Sequence, residues 1–193
     1  MQHLKKYFAR YPVICGVRNN EDLQYALSTP QHALVFLTGD IFSLETLIPK
    51  AKESGKLVFL HTELVKGISQ DIVGIRYLAQ RLKVDGIITT KSHVVKFGKE
   101  ENLLTIQRFF IVDSTSLEKG IAVVKKAKPN AVEVLPGILT KDYLNYLNKE
   151  INLPVIAGGL IRDLEEVKEI LKSGVMAVST SKKELWSINL KYK

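Results

Sequence analysis

The strongest chemical signal in the chain is a pair of glycines, Gly158-Gly159, matched by a run of three hydroxyls, Ser179-Thr180-Ser181. Each lies at the end of a short apolar run, Val155 to Ala157 in one case and Val175 to Ser179 in the other. Glycines carry no side chain, so backbone N–H groups can come close to an anion there. Hydroxyls beside the first N–H groups of a helix add further donors. If Ser181 caps a final helix and Glu184 completes a capping box, the unpaired donors of that first turn aim at the same spot. The chemistry is phosphate binding. The same residues also fit a bare tight turn and an ordinary helix cap.

Other polar residues sit at the ends of the remaining apolar runs: Arg18, Asp40, His61, Glu63, Lys91, Gln107, Arg108, Glu133 and Gly137. Glu133 lies inside Ala131 to Leu135, where strand alternation sets it opposite Val132 and Val134. A carboxylate buried there needs a cationic partner, and Arg18, Lys91 or Arg108 could supply it. Gln107 and Arg108 are sequential, so they point to opposite faces and only one can line a shared pocket. His61 with Glu63, and Asp40, have the chemistry of an acid–base pair or a divalent metal site, but their spacing matches no metal motif. Lys91 could form a Schiff base, though binding of an anion by its ammonium is the commoner use. No cofactor is implied.

These residues need a scaffold that brings strand ends together. Eight apolar runs, rich in Val, Ile and Leu, provide one: Val13 to Val17, Ala33 to Leu37, Leu57 to His61, Gly86 to Thr89, Leu104 to Phe110, Ala131 to Leu135, Val155 to Ala157 and Val175 to Ser179. Nearly continuous apolar runs suit strands covered on both faces. Helical stripes lie between several of them, at Leu44/Leu47/Ile48/Ala51, Ile72/Ile75/Ala79/Leu82, Leu117/Ile121/Val124, Leu144/Leu147/Ile151 and Leu164/Val167/Ile170/Leu171. Thr115 with Glu118, Asp163 with Glu166 and Ser181 with Glu184 have capping-box spacing. The alternation predicts an α/β fold, a single compact TIM-like (β/α)8 barrel over residues 1–193, with an open doubly wound sheet as the other arrangement. In either, ligands bind at the C-terminal ends of the strands.

Composition sets outer bounds. With 193 residues, 46% of them apolar and 25% charged, the chain can build a full core without disulfides or metal. The lone Cys15 sits in the first apolar run and reads as a small buried residue in a reducing, cytoplasmic setting. No stretch is apolar and long enough to span a membrane, and the first twelve residues, with His3, Lys5, Lys6 and Arg10, hold no secretory segment. A formal net charge of +8 favours an anionic partner. Lys96-Phe97-Gly98-Lys99, Lys125-Lys126-Lys128, Lys182-Lys183 and Lys191-Tyr192-Lys193 could meet a phosphate backbone, and each also fits a solvated helix end. Oligomeric state is not legible.

Taken together, the segments Val35 to Ile41, His61 to Leu64 with Gly67, Asp85 to Lys91, Leu104 to Phe110 with Asp113-Ser114, Val132 to Gly137, Ile156 to Ile161 and Ser179 to Ser181 followed by Leu185-Trp186 resemble the glycerol uptake operon antiterminator family. The resemblance runs from about Pro12 to Trp186. It implies a TIM-barrel regulator that binds glycerol 3-phosphate and leader mRNA, so that transcription continues into glycerol uptake and utilisation genes, with no catalysis. Glu63 stands where Asp is usual in that family, and Thr89 where Ser is. A reading from another class is a phosphate-handling barrel enzyme, an isomerase, epimerase or aldolase of a small sugar or triose phosphate, using Glu133, Lys91 or His61.

Overall fold

In the computed structural model, which describes residues 7–139 and 141–189, eight parallel strands close into a barrel in chain order. They are β1 (Val13–Val17), β2 (Ala33–Phe36), β3 (Leu57–His61), β4 (Gly86–Thr89), β5 (Leu104–Phe110), β6 (Ala131–Leu135), β7 (Val155–Gly158) and β8 (Ala177–Thr180). β1 pairs with β2 on one side and β8 on the other, so the sheet has no free edge. The open doubly wound alternative is thereby excluded. His3, Lys5 and Lys6, and the cluster Lys191-Tyr192-Lys193, lie outside the described residues.

Strand alternation divides the apolar residues into two cores. Ile14, Val35, Phe59, Ile88, Ile106, Ala131, Ile156 and Ala177 meet inside the barrel, with Phe8 against them. Their sequence neighbours, among them Cys15, Leu34, Val58, Leu60, Ile87, Val132, Val134 and Val178, face outward and pack under the helices. Cys15 is buried in this outer layer, and burial pushes its thiol pKa up to about 12.

Helices follow the first seven strands: α1 (Asn20–Ser28), α2 (Ile41–Glu53), α3 (Ile72–Arg76), α4 (Ser92–Glu100), α5 (Ser114–Ala127), α6 (Lys141–Ile151) and α7 (Leu164–Lys172). The stripe from Ile72 to Leu82 is not one regular helix, because α3 widens into a π turn over Tyr77–Arg81, where the Leu82 N–H reaches the Tyr77 carbonyl. No stripe announced α1 or α4, whose buried contacts are few: Leu23 and Ala26 in one, Val94, Val95 and Gly98 in the other. Gly98 lets α4 lie close on the sheet, since a Cβ there would stand 2.7 Å from Thr105 Cγ2.

None of the three expected capping boxes forms as such. Asp163 does cap α7, accepting from the Glu166 N–H, but the Glu166 carboxylate accepts from the Arg162 N–H instead of closing the box on Asp163. At α5 the cap is Asp113, paired reciprocally with Ser116, because a carboxylate two residues ahead of Thr115 takes the role first. After β8 there is only a single 3-10 turn among the described residues, Lys183–Leu185, with no side-chain cap. Ser181 and Glu184 therefore open no helix. The Thr180 Oγ1 accepts from the Lys182 N–H instead.

Candidate functional site

The loops after β7 and β8 converge with Arg18 after β1, Leu37 after β2 and the C-terminal parts of β5 and β6 at the C-terminal end of the barrel. They enclose a cleft of about 590 Å3, in the size range of small-ligand sites. A cleft of about 780 Å3 lies at the opposite end, beside Asn148, Pro154 and Met176. The first is the candidate, because strands of such barrels present their variable loops at the C-terminal end.

Arg18, Arg108, Glu133, Gly159, Ser179, Thr180 and Ser181 line that cleft together. Gly159, Leu160 and Ser181 bring their backbone N–H groups to the cleft wall, and no loop, cap or side-chain acceptor takes them among the described residues. Gly159 has φ +77°, a conformation glycine adopts freely, and Leu160 follows at φ +59°. A branched residue held in the left-handed region costs roughly 1–2 kcal/mol. Such strain concentrates at sites that bind. The Arg18 guanidinium approaches the Ser181 carbonyl at 3.4 Å, which places a cation beside the same donors. Below the hydroxyl loop, the buried Trp186 donates its indole N–H to the Thr180 carbonyl at 2.9 Å and stacks on Tyr25.

Glu133 faces the barrel interior and is only 1% exposed. Its partner is Arg108, whose Nε lies 2.7 Å from Glu133 Oε2 across the β5–β6 pair. Gly158 stands behind this pair, since a Cβ there would come within 2.9 Å of Glu133 Oε1. Gly137 packs against the same turn and donates its N–H to the Gly159 carbonyl.

Several expected pocket residues fall elsewhere. Gln107 faces the helix layer, because Arg108 takes the inward position; its Nε2 donates to Ser92 Oγ and its Oε1 is buried without a partner. Asp40 is the N-cap of α2, accepting from the Phe42 and Ser43 N–H groups, and those bonds hold its pKa below the usual carboxylate value. Lys91 precedes α4 with its side chain exposed. None of the three lines the cleft.

His61, which is buried, and Glu63, which is half-buried, form a separate cluster. Glu63 Oε1 accepts from Thr89 Oγ1 at 2.6 Å and from the Thr90 N–H at 2.9 Å, and His61 Nδ1 lies 3.2 Å from Oε2, bent away from hydrogen-bond geometry. Burial alone would raise the Glu63 pKa; the His61 ring and the Thr89 and Thr90 donors outweigh it and hold the carboxyl far below its usual range. Glu63 and Thr89, neighbours only across the strand ends, thus meet in one hydrogen bond. Among the described residues, no group of three or more metal-ligating side chains assembles, and no helix is long and apolar enough to cross a membrane.

Leu37, Leu135, Leu160 and Ile161 also line the cleft, unflagged by sequence reading, as do Lys182, Lys183 and Glu184, which the sequence marked for other roles. The clue for Leu37 and Leu135 was strand parity, since each lies two residues beyond an inward-facing position, Val35 and Glu133. Lys182 and Lys183, candidates for a phosphate backbone, are committed locally. Lys182 Nζ donates to the Arg162 carbonyl, and Lys183 pairs with Glu21 and Asp22.

Comparison with known proteins places this geometry. The profile of the glycerol-3-phosphate responsive antiterminators matches residues 13–186. The crystal structure of the glycerol uptake operon antiterminator regulatory protein of Listeria monocytogenes is 36% identical, covers 90% of this chain and 94% of its own, and superposes with a TM-score of 0.86. An antiterminator-related protein of Thermotoga maritima is 30% identical, covers 93% and 99% respectively, and gives a TM-score of 0.82. The uncharacterised protein YgcP of Escherichia coli (strain K12) is 35% identical over 177 residues, 92% of each chain. The chain belongs to the glycerol-3-phosphate responsive antiterminator family.

Proposed function

We propose that the barrel mouth binds glycerol 3-phosphate and that the liganded protein binds leader mRNA, letting transcription pass a terminator into glycerol uptake and utilisation genes. The observation that carries this reading is the convergence of Gly159, Leu160, Ser179, Thr180 and Ser181 with Arg18 in one cleft. The phosphate docks on the Gly158-Gly159 turn and the Ser179-Thr180-Ser181 loop. The glycerol hydroxyls turn toward Arg108 and Glu133, whose carboxylate can accept a hydrogen bond while its arginine stays paired.

The switch is a population shift. Ligand favours the RNA-competent state by the difference in its affinity for the two states, and linkage requires RNA to tighten ligand binding by the same factor. A tenfold effect corresponds to about 1.4 kcal/mol. Leader RNA affinity is measured with and without saturating glycerol 3-phosphate, and ligand affinity with and without RNA. Both should rise by one common factor. Equal RNA affinities across the comparison sink the switch. The regulatory role also entails that triose and sugar phosphates incubated with the protein yield no product by mass spectrometry.

A further inference from the structure

The net charge of +8 is unevenly distributed. Over much of the outer surface, cations are neutralised by neighbours: Lys168 and Lys172 pair with Glu165 and Glu169 on α7, Lys52 with Asp85, and Arg76 with Glu101. The groove between α4 and α5 differs. It encloses about 700 Å3 and presents His93, Lys96, Lys99 and Lys126 against a single carboxylate, Glu100. The Lys96–Glu100 contact is 3.9 Å long between two exposed side chains, so it neutralises little. Lys126 has no carboxylate within 4 Å among the described residues, and the adjacent Lys125 turns to Glu150 on the far side of α5.

Helix dipoles explain part of this pattern, since Lys99, Lys125 and Lys126 occupy last turns. They do not explain His93, which lies in the first turn of α4 at its positive end, or Lys96 at its middle. The two walls are tied together where Lys99 Nζ crosses to the Lys128 carbonyl at 3.1 Å. The distance from Ser92 to Lys99 along α4 is about 10 Å, a length that one nucleic-acid strand covers with about three phosphates. Val123 and Ala127 add an apolar strip on the α5 wall. At the upper end, Ser92 Oγ receives the Gln107 amide, and Gln107 is the strand neighbour of Arg108 in the cleft.

We propose that this lysine-lined groove between α4 and α5 receives the phosphodiester backbone of an RNA strand. The inference rests on the reading of the protein as an RNA-binding regulator and names the surface that does it. RNA neutralised by lysines releases counterions, so binding there must be salt-sensitive and must depend on the groove cations in particular.

The test compares the full chain with the double variants Lys96→Gln/Lys126→Gln and Lys50→Gln/Lys149→Gln, the second removing as much charge elsewhere. Thermal melts confirm that all are folded, and calorimetry with glycerol 3-phosphate confirms an intact mouth. Binding of a fluorescein-labelled terminator-hairpin RNA with a single-stranded flank, and of DNA of the same sequence, is followed by anisotropy over a range of salt with the ligand present. The groove variant should bind RNA about tenfold more weakly, with a log–log salt slope shallower by about 1.5, while the control stays near wild type. Equal losses in the two variants overturn the groove as the surface and leave the regulator reading standing. DNA bound as tightly as RNA overturns the assignment to RNA. Wild-type protein that binds no RNA but retains glycerol 3-phosphate overturns the regulator reading, and this inference with it.

Discussion

Glu63 is held ionised by donors from the neighbouring strand end, and that fixes a dependence on pH. Its folded-state pKa lies below the ordinary value of about 4.3, so the stabilisation is complete above that pH and fades as acid carries the solution below it. At pH 7, Glu63→Gln should cost about 1.5 to 3 kcal/mol, the worth of hydrogen bonds to a charged group. Urea titrations should show the gap to wild type narrowing below about pH 4; a gap that stays constant to pH 3 contradicts the assignment. Gly159 makes a different demand. Its φ is +77°, which strains any side chain, and a Cβ added there would stand a tight 3.2 Å from Leu135 Cδ2. Gly159→Val should destabilise the fold by about 1 kcal/mol or more and weaken calorimetric affinity for glycerol 3-phosphate. Unchanged affinity would remove the turn from the anion site. The types and positions of these residues were legible from the chain alone. That Gln107 turns outward while Arg108 turns inward was not, because alternation gives two parities and only packing selects one.

Between elements, the decisive contact is the Arg108–Glu133 pair, which joins β5 to β6 inside the barrel. A buried pair adds little net stability, but removing one partner strands the other charge. Arg108→Ala should therefore destabilise by about 3 to 5 kcal/mol, whereas Arg108→Met combined with Glu133→Leu should recover most of that loss. Chemical denaturation of the three proteins decides it: a double variant as unstable as the single one would show that packing, not the charge, is responsible. The strands were plain in the sequence because each is a dense apolar run. Helix starts were less so. Asp113 displaced Thr115 as a cap, and the stretch after β8 closes in a 3-10 turn because Trp186 is pinned beneath Thr180. A capping pattern names candidates, and the neighbouring backbone chooses among them.

At the scale of the whole molecule, ligand binding must register as stability. A ligand that binds only the folded barrel adds about 2.7 kcal/mol at a concentration one hundred times its Kd. For a chain of 193 residues, glycerol 3-phosphate at that excess should raise Tm by roughly 5 to 10 °C, and glycerol alone far less, because the phosphate carries the charge that Arg18 would meet. No shift in a thermal scan would mean that the mouth does not take this ligand. By itself the sequence determined the number of strands and marked two loops rich in candidate anion donors, since hydrophobic periodicity, glycine and hydroxyl placement are local properties of the chain, whereas closure into a barrel came with the β1–β8 pairing. Only the tertiary structure decided that Arg108 is the partner of Glu133, that His61 and Glu63 stand apart with Thr89, and that lysines from α4 and α5 share one groove. Those outcomes depend on the stagger of strands and the spacing of helices around a closed ring, and residues far apart in sequence acquire their neighbours only when the ring closes.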